Sequence, residues 1–143
     1  MIDSIFLVDD EDLFHLVFED ACSLLNISLS LDAVYSTDEA ESMFAEWQHK
    51  PSDKPKCAFI DLNVIGSSYD GIELIRKVNK QYGNGIVIGI ISSSVDPNEI
   101  ERAKGAGAMF WIVKSDDVEP RLEQFHEDFQ EYVDGIKPFT VYR

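Results

Sequence analysis

The feature that most constrains the fold is a set of short, uninterrupted apolar runs that end at polar residues. Residues 57–60 lead directly into the carboxylate of Asp61, and residues 86–91 lead into three serines. Runs without polar alternation are typical of strands buried on both faces, as in a parallel sheet. A carboxylate at the end of such a strand lies at the edge where α/β proteins bind ligands. Taken alone, however, Asp61 is also explained as a turn residue that ends the strand.

The rest of the chain alternates similar runs with helical patterns. Strands are predicted at residues 4–8, 27–34, 56–61, 86–91 and 109–113. After four of the strands, apolar residues recur at helical spacing, and in the first helix these are Leu13, Leu16, Val17, Ala21, Leu24 and Leu25. Ser36, Asp70 and Asp96, each with a glutamate three residues later, predict the starts of the second, third and fourth helices. Five strands alternating with five helices through right-handed crossovers predict an α/β fold with a doubly wound parallel sheet. We expect one domain over residues 1–143, with a short tail from about residue 135.

Composition excludes several classes of protein. The net charge is -15, with 12 basic residues against 27 acidic ones, so nucleic-acid binding is not expected. No apolar run approaches the roughly 18 to 20 residues of a membrane helix, and the amino terminus lacks a basic signal-peptide region. Cys22 and Cys57 fit no metal or redox spacing, which favours two buried thiols in the reducing cytoplasm.

Polar residues follow four of the five predicted strands, and parallel strands end at one edge of the sheet. They are Asp9 and Asp10, then Asp61, Ser92 and Lys114. Three adjacent carboxylates repel each other unless a cation is present, and Mg²⁺ prefers such oxygen ligands. Each side chain also has a simpler explanation, as a helix or turn cap or a surface charge. Jointly they predict a site for a metal ion and a tetrahedral anion.

In their order and spacing these residues resemble those of a response-regulator receiver domain, the chemotaxis-regulator-like module of two-component signalling. The similarity extends from residues 6–10 to the last helix, and includes residues 70–74 and the Gly107-Ala108 pair before Lys114. It implies a flavodoxin-like sheet in the order 2-1-3-4-5. Because only about ten residues follow the fifth helix, we expect a stand-alone receiver.

The resemblance implies that Asp61 accepts a phosphoryl group from a histidine of a sensor kinase or phosphotransfer protein. Lys114 and Ser92 would each contact a phosphoryl oxygen. The chain would then be a signalling protein that assists its own phosphorylation and dephosphorylation, not an enzyme with a separate substrate. The implied Mg²⁺ ligands are Asp9 (through water), Asp10, Asp61 and the backbone carbonyl of Asn63.

The output implied by the resemblance is a change in protein–protein contacts, with a downstream target that the sequence does not identify. Trp111 occupies the family's aromatic switch position, and its inward turn would remodel the face of the fourth helix, fifth strand and fifth helix. An ordinary half-buried strand aromatic is the alternative for Trp111. Dimerisation through the last helix stays open, and Phe14 and Phe18 are either a docking surface or a second packing face of the first helix.

Two positions depart from the family pattern. Ile65 replaces a proline four residues after Asp61, in a loop about two residues longer than usual, so we expect that loop to be mobile. Ser115 replaces a proline that commonly has a cis bond. Since a cis bond before a non-proline residue costs about 2.5–4 kcal/mol, the Lys114–Ser115 bond is expected to be trans or strained.

Two other functions compete with a phosphorylated receiver. The first is a degenerate receiver-like interaction module that is not phosphorylated, which the missing prolines favour slightly. The second is a hydrolase. A phosphatase with an aspartyl nucleophile would carry a second acid two residues after Asp61, where this chain has Asn63. A Ser-His-Asp hydrolase is disfavoured because none of the three histidines follows a predicted strand.

Overall fold

The fold alternates strands and helices along the chain. The computed structural model describes residues 2–26, 30–82, 85–115 and 117–143. The strands are β1 Ser4–Val8, β2 Ser30–Val34, β3 Cys57–Asp61, β4 Val87–Ser92, β5 Phe110–Val113 and β6 Thr140–Tyr142. The helices are α1 Asp12–Leu24, α2 Thr37–His49, α3 Gly71–Lys77, α4 Pro97–Ala106 and α5 Glu119–Val133. A 3-10 turn at Pro51–Asp53 follows α2, and a π-helical turn at Val78–Tyr82 continues α3.

The sheet is parallel in the order β2-β1-β3-β4-β5-β6. The predicted order of the first five strands and the flavodoxin-like fold are therefore confirmed. The sixth strand corrects the prediction of a five-stranded sheet with a short tail, because β6 pairs with the outer edge of β5. Residues 27–29 of the predicted second strand lie outside the described residues.

Three helix starts form as their sequences predict. The side chains of Ser36 and Asp70 accept hydrogen bonds from the backbone N–H groups three residues later, at 3.0 and 2.9 Å. Asp96 accepts from the N–H of Asn98 at 2.9 Å, and Pro97 occupies the first turn of α4. These caps satisfy N–H groups that have no partner within the helix.

Two apolar cores lie on opposite faces of the sheet. One contains buried residues of α2, α3 and α4 together with Trp111. The other contains residues of α1 and α5, with Phe59, Phe110 and Phe125 in mutual edge-to-face or tilted contact. Cys22 and Cys57 are buried free thiols in this second core. No helix in the described part of the chain is long and apolar enough to cross a membrane.

Helix α1 forms where predicted, and Val17, Ala21 and Leu25 of the predicted apolar set pack in or against the core, but the face of the helix that is buried is shifted. Phe14 and Phe18 are buried, which assigns them to packing rather than to docking. Leu13 and Leu16, which helped to predict the helix, are 71% and 61% exposed. The face with Phe14 and Phe18 packs against the sheet because these larger aromatic side chains bury more apolar area there.

Candidate functional site

The carboxyl edge of the sheet brings the predicted acids together. Asp61 ends β3, and the adjacent β1 leads into Asp9 and Asp10. One oxygen from each carboxylate lies within 4.8 Å of the others, so the three could bind one metal ion. Asp9 is fully buried and Asp61 is only 7% exposed. The predicted acidic cluster therefore exists, although the structure contains no ion.

Close packing behind Asp61 fixes the start of α3. The backbone N–H of Gly71 donates to the carbonyl of Leu62 at 2.8 Å. A Cβ atom at position 71 would lie 2.1 Å from the carbonyl oxygen of Asp61, a distance no real contact shows. Only glycine allows the backbone of α3 to approach the end of β3 so closely.

Lys114 reaches the acidic cluster from the end of β5. Its Nζ is 2.7 Å from Oδ2 of Asp9, 3.8 Å from Oδ2 of Asp61 and 3.2 Å from Oε1 of Glu11. It also lies 4.3 Å from the ring centroid of Phe14. The Lys114–Ser115 bond is trans, since no cis bond occurs among the described residues, and Lys114 still reaches the site. This trans bond is one of the two outcomes that the sequence predicted.

Burial and neighbouring charges shift the pKa values of the ionisable groups in the site. The pKa of Asp61 is raised from 3.8 to about 7, chiefly by burial and then by the charge of Asp9, with Lys114 opposing the rise. Burial alone would lower the pKa of Lys114, but its hydrogen bond to Asp9 and the charge of Asp61 raise it overall. Three acids thus face one ammonium group, an excess of negative charge that a divalent cation would compensate.

Ser92 ends β4 beside the acids. Its side chain is buried, and Oγ accepts a hydrogen bond from the N–H of Ser94 at 3.1 Å. Because Asp61 is paired with Ile91, Ser92 lies one residue further toward the same edge. Its carbonyl accepts from the N–H of Lys114 at 2.7 Å, which links β4 to the start of the β5–α5 loop.

Trp111 is fully buried on the α4 side of β5. Its indole Nε1–H donates to the carbonyl of Ser94 at 3.1 Å. Trp111 is therefore not the half-buried aromatic that one alternative described, and its ring already points inward. Whether it acts as a switch stays a prediction.

The loop between β3 and α3 contains an exposed tip and a tethered second half. The tip includes Ile65, which is 81% exposed. Further along, the N–H of Thr37 donates to Oγ of Ser67 at 2.9 Å, and Oγ1 of Thr37 donates to the carbonyl of Tyr69 at 2.8 Å. The hydroxyl of Tyr69 also donates to Glu41. The predicted mobility of the loop is thus limited by contacts with α2 that the sequence pattern did not reveal.

Two further residues, Asn63 and His15, lie close in sequence or in space to the acidic cluster. Asn63 lies two residues after Asp61 with an exposed side chain, and the role of its carbonyl as a metal ligand stays a prediction. His15, which the sequence did not assign to the site, is buried with Nε2 2.7 Å from the carbonyl oxygen of Asp9. Its ring stacks on Tyr35 at 4.4 Å. The helical position of His15 gave no signal of this contact.

A doubly wound parallel sheet with buried acids, a lysine and a hydroxyl at its carboxyl edge defines a receiver-type module. The sequence model of the response regulator receiver domain matches residues 5–124. The chain therefore belongs to the response-regulator receiver family. Among curated proteins, none matches this chain.

Solved structures of response regulators share the fold at low sequence identity. A two-component response regulator from Cytophaga hutchinsonii is 22% identical with a TM-score of 0.78, covering 91% of this chain and 98% of its own. The phosphorylated cyanobacterial phytochrome response regulator RcpA is 19% identical, with a TM-score of 0.71 and coverage of 92% and 94%. The Mn²⁺-bound response regulator Rcp1 is 18% identical, with a TM-score of 0.70 and coverage of 90% and 94%.

Proposed function

We propose that this chain is a response-regulator receiver that accepts a phosphoryl group on Asp61 in a Mg²⁺-dependent reaction. The observation that carries this proposal is the arrangement of Lys114, which lies between the carboxylates of Asp9 and Asp61 in a largely buried site. The buried acids and the lysine are the charges that phosphoryl transfer requires, since the reaction depends on positioning and on compensation of charge.

The oxygen-only donor set fits Mg²⁺, which prefers carboxylate and carbonyl oxygens. Asp10 and Asp61 would bind it directly, with the carbonyl of Asn63, and Asp9 would act through a bound water. The raised pKa of Asp61 is in keeping with this fit, because burial and then the charge of Asp9 disfavour the ionised carboxylate when no cation is bound. When bound, the cation would supply charge compensation for the phosphoryl oxygens. Two response regulators with the same fold, one phosphorylated and one Mn²⁺-bound, support both expectations.

The chain's own residues then have defined roles in the transfer. A carboxylate oxygen of Asp61 attacks phosphorus, the P–N bond to the donor histidine breaks, and the imidazole nitrogen keeps the electron pair. Lys114 would turn from Asp61 Oδ2 to an oxygen of the incoming phosphoryl group and neutralise its charge. The hydroxyl oxygen of Ser92 accepts from the N–H of Ser94, which leaves the O–H hydrogen to be donated to another phosphoryl oxygen.

Exposed apolar side chains on α1 and on the loops that follow β3 and β4 offer a contact surface for the phosphoryl donor. Leu13 and Leu16 on α1, Ile65 on the β3–α3 loop and Val95 on the β4–α4 loop are all exposed. Apolar side chains that lie together on a surface can bind another protein. We propose that a kinase or phosphotransfer protein docks here, in the cytoplasm, and that phosphorylation then changes contacts with a downstream protein.

Phosphate uptake tests the proposed function. The wild-type chain is incubated with acetyl phosphate, with and without Mg²⁺, beside Asp61→Asn, and phosphate is counted by intact mass. We expect uptake by the wild type with Mg²⁺ only, and none by Asp61→Asn. Absence of both phosphate uptake and Mg²⁺ binding in the wild type would favour the receiver-like interaction module. Repeated turnover of an unrelated phosphoester would favour a hydrolase.

A further inference from the structure

Residues 137–142, here called the strap, cover the outer edge of β5. Within the strap, β6 pairs in parallel with β5, and Trp111 is the partner of Val141. Tyr142 is 2% exposed and packs in the core on the α5 side of the sheet. Phe139 and Val141 pack against the core on the α4 side. The strap thus occupies the face between α4 and α5, where the resemblance placed the output of the protein.

A small set of polar contacts holds the strap on α5. The hydroxyl of Tyr142 lies 2.8 Å from the hydroxyl of Tyr132 and donates to Oδ2 of Asp128 at 2.7 Å. Nζ of Lys137 is 3.3 Å from the same carboxylate oxygen. Because β6 has only three residues and lies at the edge of the sheet, it makes fewer backbone pairs than the central strands, and segments of this kind open at a lower free energy than the core.

Two hydrogen bonds connect Ser92, at the proposed phosphorylation site, to Trp111, whose strand pairs with the strap. Oγ of Ser92 accepts from the N–H of Ser94, and the carbonyl of Ser94 accepts from Nε1 of Trp111. If the Ser92 side chain moves toward a phosphoryl oxygen, its Oγ leaves the N–H of Ser94 and loosens the segment whose carbonyl holds the indole. Trp111 belongs to the strand that pairs with Val141, so movement of the indole disturbs the pairing of the strap.

We propose that the strap is an internal occupant of a docking face, and that phosphorylation of Asp61 releases it so that a partner protein adds an extended segment to β5 in its place. The strap defines the chemistry of that segment: an aromatic hydroxyl group in the place of Tyr142, with apolar side chains facing α4. Strand addition to an exposed sheet edge supplies backbone hydrogen bonds and pockets for alternate side chains. The net charge of -15 favours a basic partner over a second copy of this chain.

The release of the strap rests on the proposed phosphorylation, so the first experiment measures both. The full chain is treated with acetyl phosphate and Mg²⁺, its phosphate content is read by intact mass, and hydrogen exchange is followed in peptides that contain residues 137–143. We expect exchange to accelerate about tenfold on phosphorylation. Residues 30–34 of β2, at the opposite edge of the sheet, serve as the control and should not change.

The outcomes separate the two claims. Phosphorylation with unchanged exchange in the strap would overturn the release and leave the proposed function intact. Failure of the chain to take up phosphate would contradict the proposed function and the release with it. Trp111→Phe, compared with the wild type at equal phosphate content, should show a smaller acceleration, because it removes the indole donor to Ser94. An undiminished acceleration would refute this route.

A second experiment tests occupancy of the face directly. A fluorescein-labelled peptide with the sequence of residues 136–143 is titrated with the full chain. It should bind the phosphorylated chain at least about tenfold more tightly than the unphosphorylated one, because the strap competes with it only before release. In the unphosphorylated chain, Tyr142→Phe should increase peptide binding, whereas Tyr35→Phe should not. Equal binding to both forms of the wild type would overturn the proposal.

Discussion

The raised pKa of Asp61 predicts a specific pH dependence of folding stability. Without a divalent cation, the folded chain keeps the Asp61 proton up to about pH 7, while the unfolded chain loses it near pH 4. Between about pH 4 and pH 7 unfolding therefore releases a proton, so the free energy of unfolding falls as the pH rises through this range. Above pH 7 the ionised carboxylate destabilises the fold by about 4 kcal/mol at most.

Replacement of Asp61 by asparagine removes this titration. The difference in unfolding free energy between Asp61→Asn and the wild type should therefore increase by about 2 to 3 kcal/mol between pH 5 and pH 8. Urea unfolding in EDTA, followed by tryptophan fluorescence at both pH values, measures it. Asp53→Asn, at an exposed position near the amino ends of the strands, is the control for removal of a charge alone.

Metal binding adds a second, independent readout. At pH 8, Mg²⁺ at about 100 times its dissociation constant should stabilise the wild type by about 2.7 kcal/mol, because the ion binds only the folded form. Mg²⁺ should stabilise Asp61→Asn less than the wild type, so it should reduce the difference in unfolding free energy between the two proteins. If the difference in unfolding free energy between Asp61→Asn and the wild type in EDTA is the same at pH 5 and pH 8, the conclusion that Asp61 is buried among uncompensated acids is refuted.

Three further changes test other parts of the site. Lys114→Met leaves Asp9 and Asp61 without their ammonium partner, so we expect the unfolding free energy without metal to fall by about 3 kcal/mol. Urea unfolding at pH 8 measures this loss, and a change below about 0.5 kcal/mol would contradict the contacts described. Gly71→Ala forces a Cβ onto the backbone of Asp61 and should lower stability by about 3 kcal/mol by the same assay, whereas a neutral effect would show that α3 is less tightly placed. Thr37→Val removes a tether of the β3–α3 loop and should weaken Mg²⁺ binding about threefold in calorimetry, while Thr37→Ser should bind as the wild type does.

The sequence predicted the acidic cluster and its lysine because these residues lie at or just after the ends of strands. Asp61 and Lys114 are far apart along the chain, but parallel strands bring their ends to one edge, and that rule needs no knowledge of packing. The lysine contacts follow from its long side chain, which reaches Asp9 although Ser115 replaces the usual proline. The site was thus predictable from strand order and residue type.

Features that depend on competition between side chains were harder to predict. Both faces of α1 are apolar, and the periodicity of Leu13 and Leu16 is as regular as that of Phe14 and Phe18. Only the fit against the sheet decides in favour of the aromatic face. The loop tethers to Thr37 were missed for a related reason, since they join side chains and backbone groups that are about 30 residues apart.

The sixth strand was missed because its signal is very short. Only three residues pair with β5, and the preceding Gly135 and Pro138 indicated the end of ordered structure. Alternating apolar residues at Phe139 and Val141 were nevertheless present, and Tyr142 supplied an aromatic group that α5 could bury. A strand of this length is stable only because a neighbouring strand and helix already offer a surface to it.

The central claim is that Asp61 is the phosphoryl acceptor, and the most direct measurement locates the phosphate on the chain. After reaction with acetyl phosphate and Mg²⁺, borohydride reduction converts an aspartyl phosphate to a homoserine residue, which peptide mass spectrometry identifies by position. The account predicts homoserine at position 61 in the wild type and at no position in Asp61→Asn. Conversion at Asp9 or Asp10 instead, or equal conversion in both proteins, would contradict it.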